Sequence, residues 1–598
     1  DLLDRRIFTY ADVPYRISPY REIVRDPHRT IRFDPERQRT VERRVAELGA
    51  DGRLVPDAAG GIRHATLLEK LLVPALSKLS NLVPGGGIWM NTQRPEWNDA
   101  NNALAGEGLS VVTMCHLRRY LVFLERLIGD FGRTAEVSTE VTEWMRALDG
   151  ELKGVSDRPA TAAERRRWMD AAGEAFSRYR GTAYDRGLSG AESLPSRAAA
   201  EFCRHARQML DREIAGQRRT DGLYHAYNVL ERHASAPGVR PLQEMLEGQV
   251  AALSSGVMSA RETVDLVDEM YRSALYRQDQ RSFLLYPERE LPSFLQRNVV
   301  PERTALAVPL LRAMLDAGDA RVVARDVDGV VRFHADLENA RALEASLNDL
   351  AGDARWGDGA RTDRSAVLDL YESVFRHRLF TGRSGRMYGY EGLGCIYWHM
   401  VAKLLLAVQE IAVKADEEGE PTELRAALAD AYYRIRDGLG FRKTAAEYGA
   451  FPTDPYSHTP RHAGARQPGM TGQAKEEILT RLGELGVRIR DGELRFRPVL
   501  LRRDELLSEP CAFPARPDGA RDSLRVPEGG LAFTFCGVPV VYAAGDDSRI
   551  TVVRRDGSEL RLEGDTLSAE AADPIFDRDG SVVRIEVTVP ERILLGSR

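Results

Sequence analysis

Apolar residues recur at three- and four-residue steps over most of the first 486 positions of this 598-residue chain. Between Ala65 and Leu82 a helical stripe is traced by Leu67, Leu68, Leu71, Leu72, Leu76 and Leu79, and Pro84 with Gly85-Gly86-Gly87 ends it. Val111, Val112, Cys115, Leu117, Leu121, Leu124 and Leu127 trace the next. The same spacing predicts helices around 36–48, 136–150, 161–180, 198–214, 240–254, 260–275, 300–315, 337–349, 364–378, 422–436 and 473–485. The most apolar of all runs from Gly392 to Glu410. Between 320 and 335 the text RVVARDVDGVVRFH predicts a hairpin around Asp328-Gly329. Near residue 487 the period changes from helical to two. VRIRDGELRFRP, LAFTFCGVPVVYA, RITVVRRDGSELRLEG and SVVRIEVTVP alternate and carry Asp-Gly turns, the signal of antiparallel strands. The expected organisation is an extended or linker segment at 1–35, broken by prolines, a helical catalytic domain at 36–486, and an all-β domain at 487–598.

Composition bounds the function. Hydrophobic residues make up 43% and charged residues 29%, as in ordinary soluble domains. The net charge of -6, from 84 basic and 90 acidic side chains, argues against nucleic acid or an anionic membrane as partner. No apolar stretch is long enough to span a bilayer. The start, DLLDRRIFTY, does not read as a signal peptide, and it lacks an initiator Met, as a processed product or a fragment would. Five cysteines without a CxxC pair read as reduced thiols in a cytoplasmic protein. No zinc spacing occurs, and Asp454 and His458 are separated by Pro455, against a shared helical face, so neither a metal nor a cofactor is expected. Oligomeric state is left open.

Four stretches break the helix-and-loop background. In the first, residues 85–107, glycines lead into IWMNTQRPEWNDANNAL. A helix cap explains Asn98 or Asp99, but not Trp89, Arg94, Glu96, Trp97 and Asn102 as well. Indoles beside amides and carboxylates suit a pyranose: rings face its C–H surface, and polar forks fix its hydroxyls. In the second, GRSGRMYGYEGLGCIYWHM at 382–400, Tyr390 and Glu391 precede the apolar helix that carries His399, and Lys403 lies one turn further. The third, residues 440–477, is the longest irregular stretch in the helical part and holds Arg442, Lys443, Asp454, His458, Thr459, Gln467, Gln473 and Glu476. The fourth, DGLYHAYNVL at 221–230, places Tyr224 and His225 either at the rim of a sugar site or at a capped helix start with surface tyrosines. No GxSxG elbow, P-loop or dinucleotide fingerprint is present.

WNDANNAL between helices, with a terminal β domain, resembles the (α/α)6-barrel carbohydrate enzymes, and in particular the cellobiose and chitobiose phosphorylase group. The resemblance implies a mainly α chain: an (α/α)6 barrel followed by an antiparallel β-sandwich. It makes Asp99 the general acid, with Trp97 and Asn98 beside it. Those enzymes also carry a large β-sandwich before the barrel, which this text lacks, so the use of phosphate stays open. The expected reaction is inverting hydrolysis of an oligosaccharide or glucan. Asp99 protonates the leaving oxygen, Glu96 is the reserve acid, and Glu391 or Glu476 activates water across about 6.5–9.5 Å. One alternative is an inverting phosphorylase with inorganic phosphate as co-substrate, held by Arg442, Lys443, His458 and Thr459. Others are a non-catalytic glycan-binding protein and a lyase or isomerase using Tyr390, His399 or His458 as base.

Overall fold

The structure is a computed structural model. It describes residues 2–57, 59–92, 104, 106–154, 158–232, 237–287, 292–375, 396–439, 443, 458–459, 471–514 and 523–596, the side chains of 458–459 and 471–473 excepted. It is mainly α, with about half of its residues in helices.

The helices form where the apolar stripes run, since each stripe is buried only by lying against another. α1 (Pro35–Leu48) starts on Asp34, whose side chain accepts from the N–H groups of Glu36 and Arg37. α2 (Leu67–Leu79), α3 (Val111–Phe131), α4 (Thr139–Lys153), α5 (Ala162–Asp185), α6 (Ser196–Ala215), α7 (Leu246–Ser255) and α8 (Ala260–Arg272) follow. α5 and α8 open on capping boxes, Thr161 with Glu164 and Ser259 with Glu262. Then comes a unit apart, with α9 (Pro309–Ala317), α10 (Ala340–Ala351) and α11 (Arg364–Phe375). α12 (Trp398–Glu417), α13 (Thr422–Gly438) and α14 (Thr471–Glu484) resume the main body. α3 packs on α6 and α7; α12 packs on α7, α13 and α14. One core runs through this body, with Leu68, Leu72, Leu76, Leu121, Leu210 and Trp398 fully buried. Residues before α1 pack on it: Leu3 joins the core, and the Tyr20 hydroxyl donates to Asp170 at 2.8 Å.

The helix expected over 300–315 is two. It breaks at Val308, because Pro309 has no N–H to donate and pushes the residue before it into extended backbone. The 221–230 stretch is also not a helix start: Tyr227–Glu231 is a strand. It belongs to a five-stranded antiparallel sheet of β1 (Leu82–Val83), β2 (Gly87–Trp89), β3 (Gly108–Ser110), β4 (Tyr227–Glu231) and β5 (Gly238–Pro241), in the order β5-β4-β3-β2-β1. Ile88 lies opposite Ser110, and Ser110 opposite Tyr227.

The unit apart has its own core, from Val300 to Phe375, closed around Phe333, Tyr371 and Trp356. The expected hairpin is there as β6 (Val323–Arg325) and β7 (Val331–Phe333). Asn298 locks the entering chain to it by donating to the Phe333 carbonyl (2.8 Å) and accepting from its N–H (2.9 Å). β8 (Ile396–Tyr397) and β9 (His458–Thr459) form a short antiparallel pair beside α12.

The C-terminal region is a separate β region with a third core. A three-stranded sheet of β10 (Val487–Arg490), β11 (Glu493–Phe496) and β16 (Thr566–Leu567) accompanies a five-stranded one, β12 (Gly530–Phe535), β13 (Val538–Gly545), β14 (Arg549–Arg554), β15 (Glu559–Glu563) and β17 (Val582–Pro590), ordered β12-β13-β17-β14-β15. Alternation predicted antiparallel pairing throughout, yet β13 and β17 run parallel: β17, which follows α15 (Ala569–Asp577), lies between the mutually antiparallel β13 and β14 and so must run parallel to one of them. Asp416 of α12 ties the two regions together through Arg497 at 2.7 Å.

Candidate active site

Three of the described helices bring their first turns to one place. The Val111 N–H at the head of α3 donates to the Ala226 carbonyl just before β4, and the Leu246 N–H at the head of α7 donates to Leu285. α12 follows β8 directly and lies against α7. Helix N-termini carry partial positive charge, so heads gathered near one another favour anionic or oxygen-rich ligands, although the Val111 and Leu246 N–H groups are already spent on these carbonyls.

The four polar stretches meet pairwise. The first and fourth share one sheet, through β2, β3 and β4. The second and third meet where β8 pairs with β9, Tyr397 opposite His458 and Ile396 opposite Thr459. Lys443 donates to the Gln280 carbonyl, and its ammonium lies 5.1 Å from the centre of the Trp398 ring, a cation–π contact. His399, in the first turn of α12, places Nε2 3.5 Å from Glu476 Oε1 of α14. Burial and the Lys403 ammonium hold the imidazole below its ordinary value, and Glu476 partly offsets them.

Two expected sugar ligands turn out to be core. Trp89 is 5% exposed and packs with Tyr20, Leu109 and Met169, and its indole N–H donates to the Gly106 carbonyl at 2.8 Å. No ring face is left for a pyranose. Tyr224 is likewise buried, with its backbone clamped at both N–H and carbonyl by the Gln249 amide (2.8 Å each). The surface tyrosines expected in this stretch are thus interior ones: Tyr227 lies on β4 within a covered sheet, and Tyr224, ahead of that strand, joins the main core. His225 is half-buried beside it, and burial and Arg219 hold its imidazole low. Arg94, Glu96, Trp97, Asn98, Asp99, Asn102, Tyr390, Glu391, Arg442, Asp454 and Gln467 lie outside the described residues, as do the side chains of His458, Thr459 and Gln473.

The geometry also brings forward groups that the sequence did not assign to a site. Glu247, in the first turn of α7, is 3% exposed, and its Oε2 accepts the Tyr227 hydroxyl at 2.9 Å. Burial pushes its carboxyl up to about 7, against smaller opposing effects of Tyr227 and Lys403. Lys403, in the second turn of α12, acts electrostatically on Glu247, on His399 and on His116 of α3. His116 is exposed to solvent but hemmed in by protein. Desolvation, Lys403 and Arg119 keep its imidazole below the ordinary value. A lysine within an apolar helix was the one signal of this cluster in the sequence. A carboxyl near neutrality, a hydroxyl and a cation under converging helix ends can position anionic groups and exchange a proton.

Among the described residues no group of His, Cys, Asp and Glu could hold a metal ion, and no helix is long and apolar enough to cross a membrane. No curated protein matches the chain. Residues 291–378, the unit with its own core between α8 and α12, match the family model described as GH149 phosphorylase insertion domain 2. The match spans about 88 of the 598 residues: a distant kinship to a glycoside phosphorylase family, consistent with a carbohydrate-active enzyme.

Proposed function

We propose that the protein is an inverting glycoside phosphorylase built on an (α/α)6 barrel, which cleaves an oligosaccharide or glucan with inorganic phosphate. The observation that carries this reading is the match of the inserted unit to a phosphorylase insertion domain, where hydrolysis was the first expectation from sequence. The gathering of helix heads and the ammonium groups of Lys403 and Lys443 support it, since a phosphate dianion needs positive charge nearby. In this reading Asp99 protonates the glycosidic oxygen as the C1–O bond breaks. A phosphate oxygen attacks C1 from the opposite face, and the phosphate proton balances the one that Asp99 gives up. Arg442, Lys443, His458 and Thr459 would hold the phosphate. Glu476, paired with His399, orients the imidazole and is not needed as a base.

The test is product analysis of purified protein against α- and β-linked oligosaccharides, with and without inorganic phosphate. Sugar 1-phosphate formed only with phosphate is the expected result. Reducing sugar released at equal rate without phosphate would return the reading to a hydrolase, with Glu391 or Glu476 as the base.

A further inference from the structure

Where the N-terminal segment packs on α5, four arginines have carboxylate partners although solvent reaches each of them: Arg16 with Asp34 and Asp185, Arg21 with Glu174, Arg32 with Glu22, and Arg166 with Asp170. The buried one, Arg180, is 6% exposed and has no carboxylate partner among the described residues. Its Nη2 donates to the Ser18 carbonyl at 3.0 Å and to Ser177 Oγ at 3.2 Å, and its guanidinium carbon lies 4.0 Å from the centre of the Phe176 ring. These partners are all neutral, and the buried Nε has none among the described residues. Burial lowers the Arg180 value only to about 10, so the group stays cationic at neutral pH. A buried charge with no opposite charge beside it is strongly destabilising.

Arg180 lines a cleft of about 180 Å³ with Arg16, Arg32, Ser18, Ser177 and Tyr184. The one carboxylate in its lining, Asp185, is already paired with Arg16 at 2.9 Å. The Ser18 hydroxyl is buried and, among the described residues, has no partner. The Tyr184 hydroxyl accepts the Ile17 N–H at 3.2 Å, and Ser177 Oγ accepts the Tyr20 N–H at 2.8 Å, so each keeps its own O–H to donate. The cleft thus presents guanidinium N–H and hydroxyl O–H donors around a charge that water alone cannot neutralise. We propose that it binds a small tetrahedral oxyanion, inorganic phosphate or a phosphate ester, which pairs with Arg180 and fastens the N-terminal segment to α5. Arg180 and Ser18 stand 162 residues apart in sequence, so an anion held between them joins two distant parts of the chain. The site does not rest on the phosphorylase reading.

Hydrogen exchange of the full chain, read by mass spectrometry, localises the effect. Phosphate is compared with chloride at equal ionic strength, so that screening is the same in both. With phosphate at about ten times its Kd, exchange over residues 15–33 and 177–185 should slow about tenfold, the factor 1 + [L]/Kd. The Ile17 and Tyr20 amides, bonded across the joint, should be among those protected. Arg180→Met should lose the phosphate effect. Ser177→Asp, which stands in should Arg180→Met not fold, puts a carboxylate beside Arg180: it should show the slowed exchange already in chloride, with nothing added by phosphate. Lys443→Met should keep the wild-type response, which separates this site from the phosphate of the proposed reaction. A hexose 1-phosphate in place of phosphate tells the ester from the free ion by which protects at the lower concentration. No phosphate-dependent protection of these segments in the wild type, or a wild-type response in Arg180→Met or Ser177→Asp, would overturn the proposal. Protection at this joint in a protein that forms no sugar 1-phosphate would remove the phosphorylase reading and leave this site standing.

Discussion

Burying Glu247 has a cost that pH exposes. In the unfolded chain a glutamate has its ordinary value near 4.5, whereas in the folded protein this carboxyl is raised to about 7. The native state therefore holds a proton that the unfolded state has lost between those values. Stability is fully present below pH 4.5, falls as pH rises, and levels off above 7. Each pH unit is worth about 1.4 kcal/mol, so the whole loss from this group is about 3 kcal/mol. Glu247→Gln keeps the shape and the contact with Tyr227 but cannot ionise, and should lack this loss. Its advantage over wild type should grow from pH 5 to pH 8 by about that amount, which is about 3 °C in Tm for a body of several hundred residues. The assay is thermal unfolding of both proteins across the range, read as the difference between the two curves so that the remaining titrations cancel. Parallel curves would refute the reasoning, because they would show that the carboxyl is not desolvated in the folded protein.

Four further outcomes complete the set, all but the first drawn from the geometry. Asp99→Asn should leave the circular dichroism unchanged and cut turnover by about 10²–10⁴-fold; an equal rate removes Asp99 from the acid role. Gly248→Ala places a Cβ 2.9 Å from the Ala226 amide nitrogen, so α7 must move off β4, at about 1–3 kcal/mol and with loss of activity. Gly150→Ala on the exposed face of α4, where a Cβ meets nothing within 4 Å, should instead stabilise by about 0.5–1 kcal/mol, and denaturant titration of the two compares them. Glu476→Gln removes the acidic neighbour that supports the His399 imidazolium, so the His399 value should fall further below ordinary, read from its ring proton shifts against pH.

Much of the helical layout was legible because its signals are local. The stripes, the Asp328-Gly329 hairpin and the change of period near 487 each depend on a few neighbouring residues. What was not legible depends on what covers a segment. Trp89 and Tyr224 look like sugar platforms in a string of polar neighbours, and only the packing of β2 and of the chain before β4 shows them to be interior. Tyr227–Glu231 was read among helix-start signals because its aromatic cluster gave no alternation; its strand exists because β3 and β5 pair with it. Glu247 was invisible for the opposite reason. A glutamate in a helix's first turn is what the dipole favours on any exposed helix. Here every residue of α7 except Ser254 is buried, which no reading of ten residues could foresee.

The inserted unit bears on how the chain assembles. α8 and α13 are neighbours in space, yet the whole of residues 291–378 lies between them in sequence. Closing a longer loop adds only about 0.6 kcal/mol per doubling of its length. The insertion therefore burdens the final stability little, while it removes local contacts from the folding of the body around it and slows that search. Because the unit has a core of its own, it can condense first and turn a long floppy loop into a short, stiff one. The late half of the body, with α12 and the Lys403 cluster, would then dock onto α7 and α8 across a prefabricated bridge.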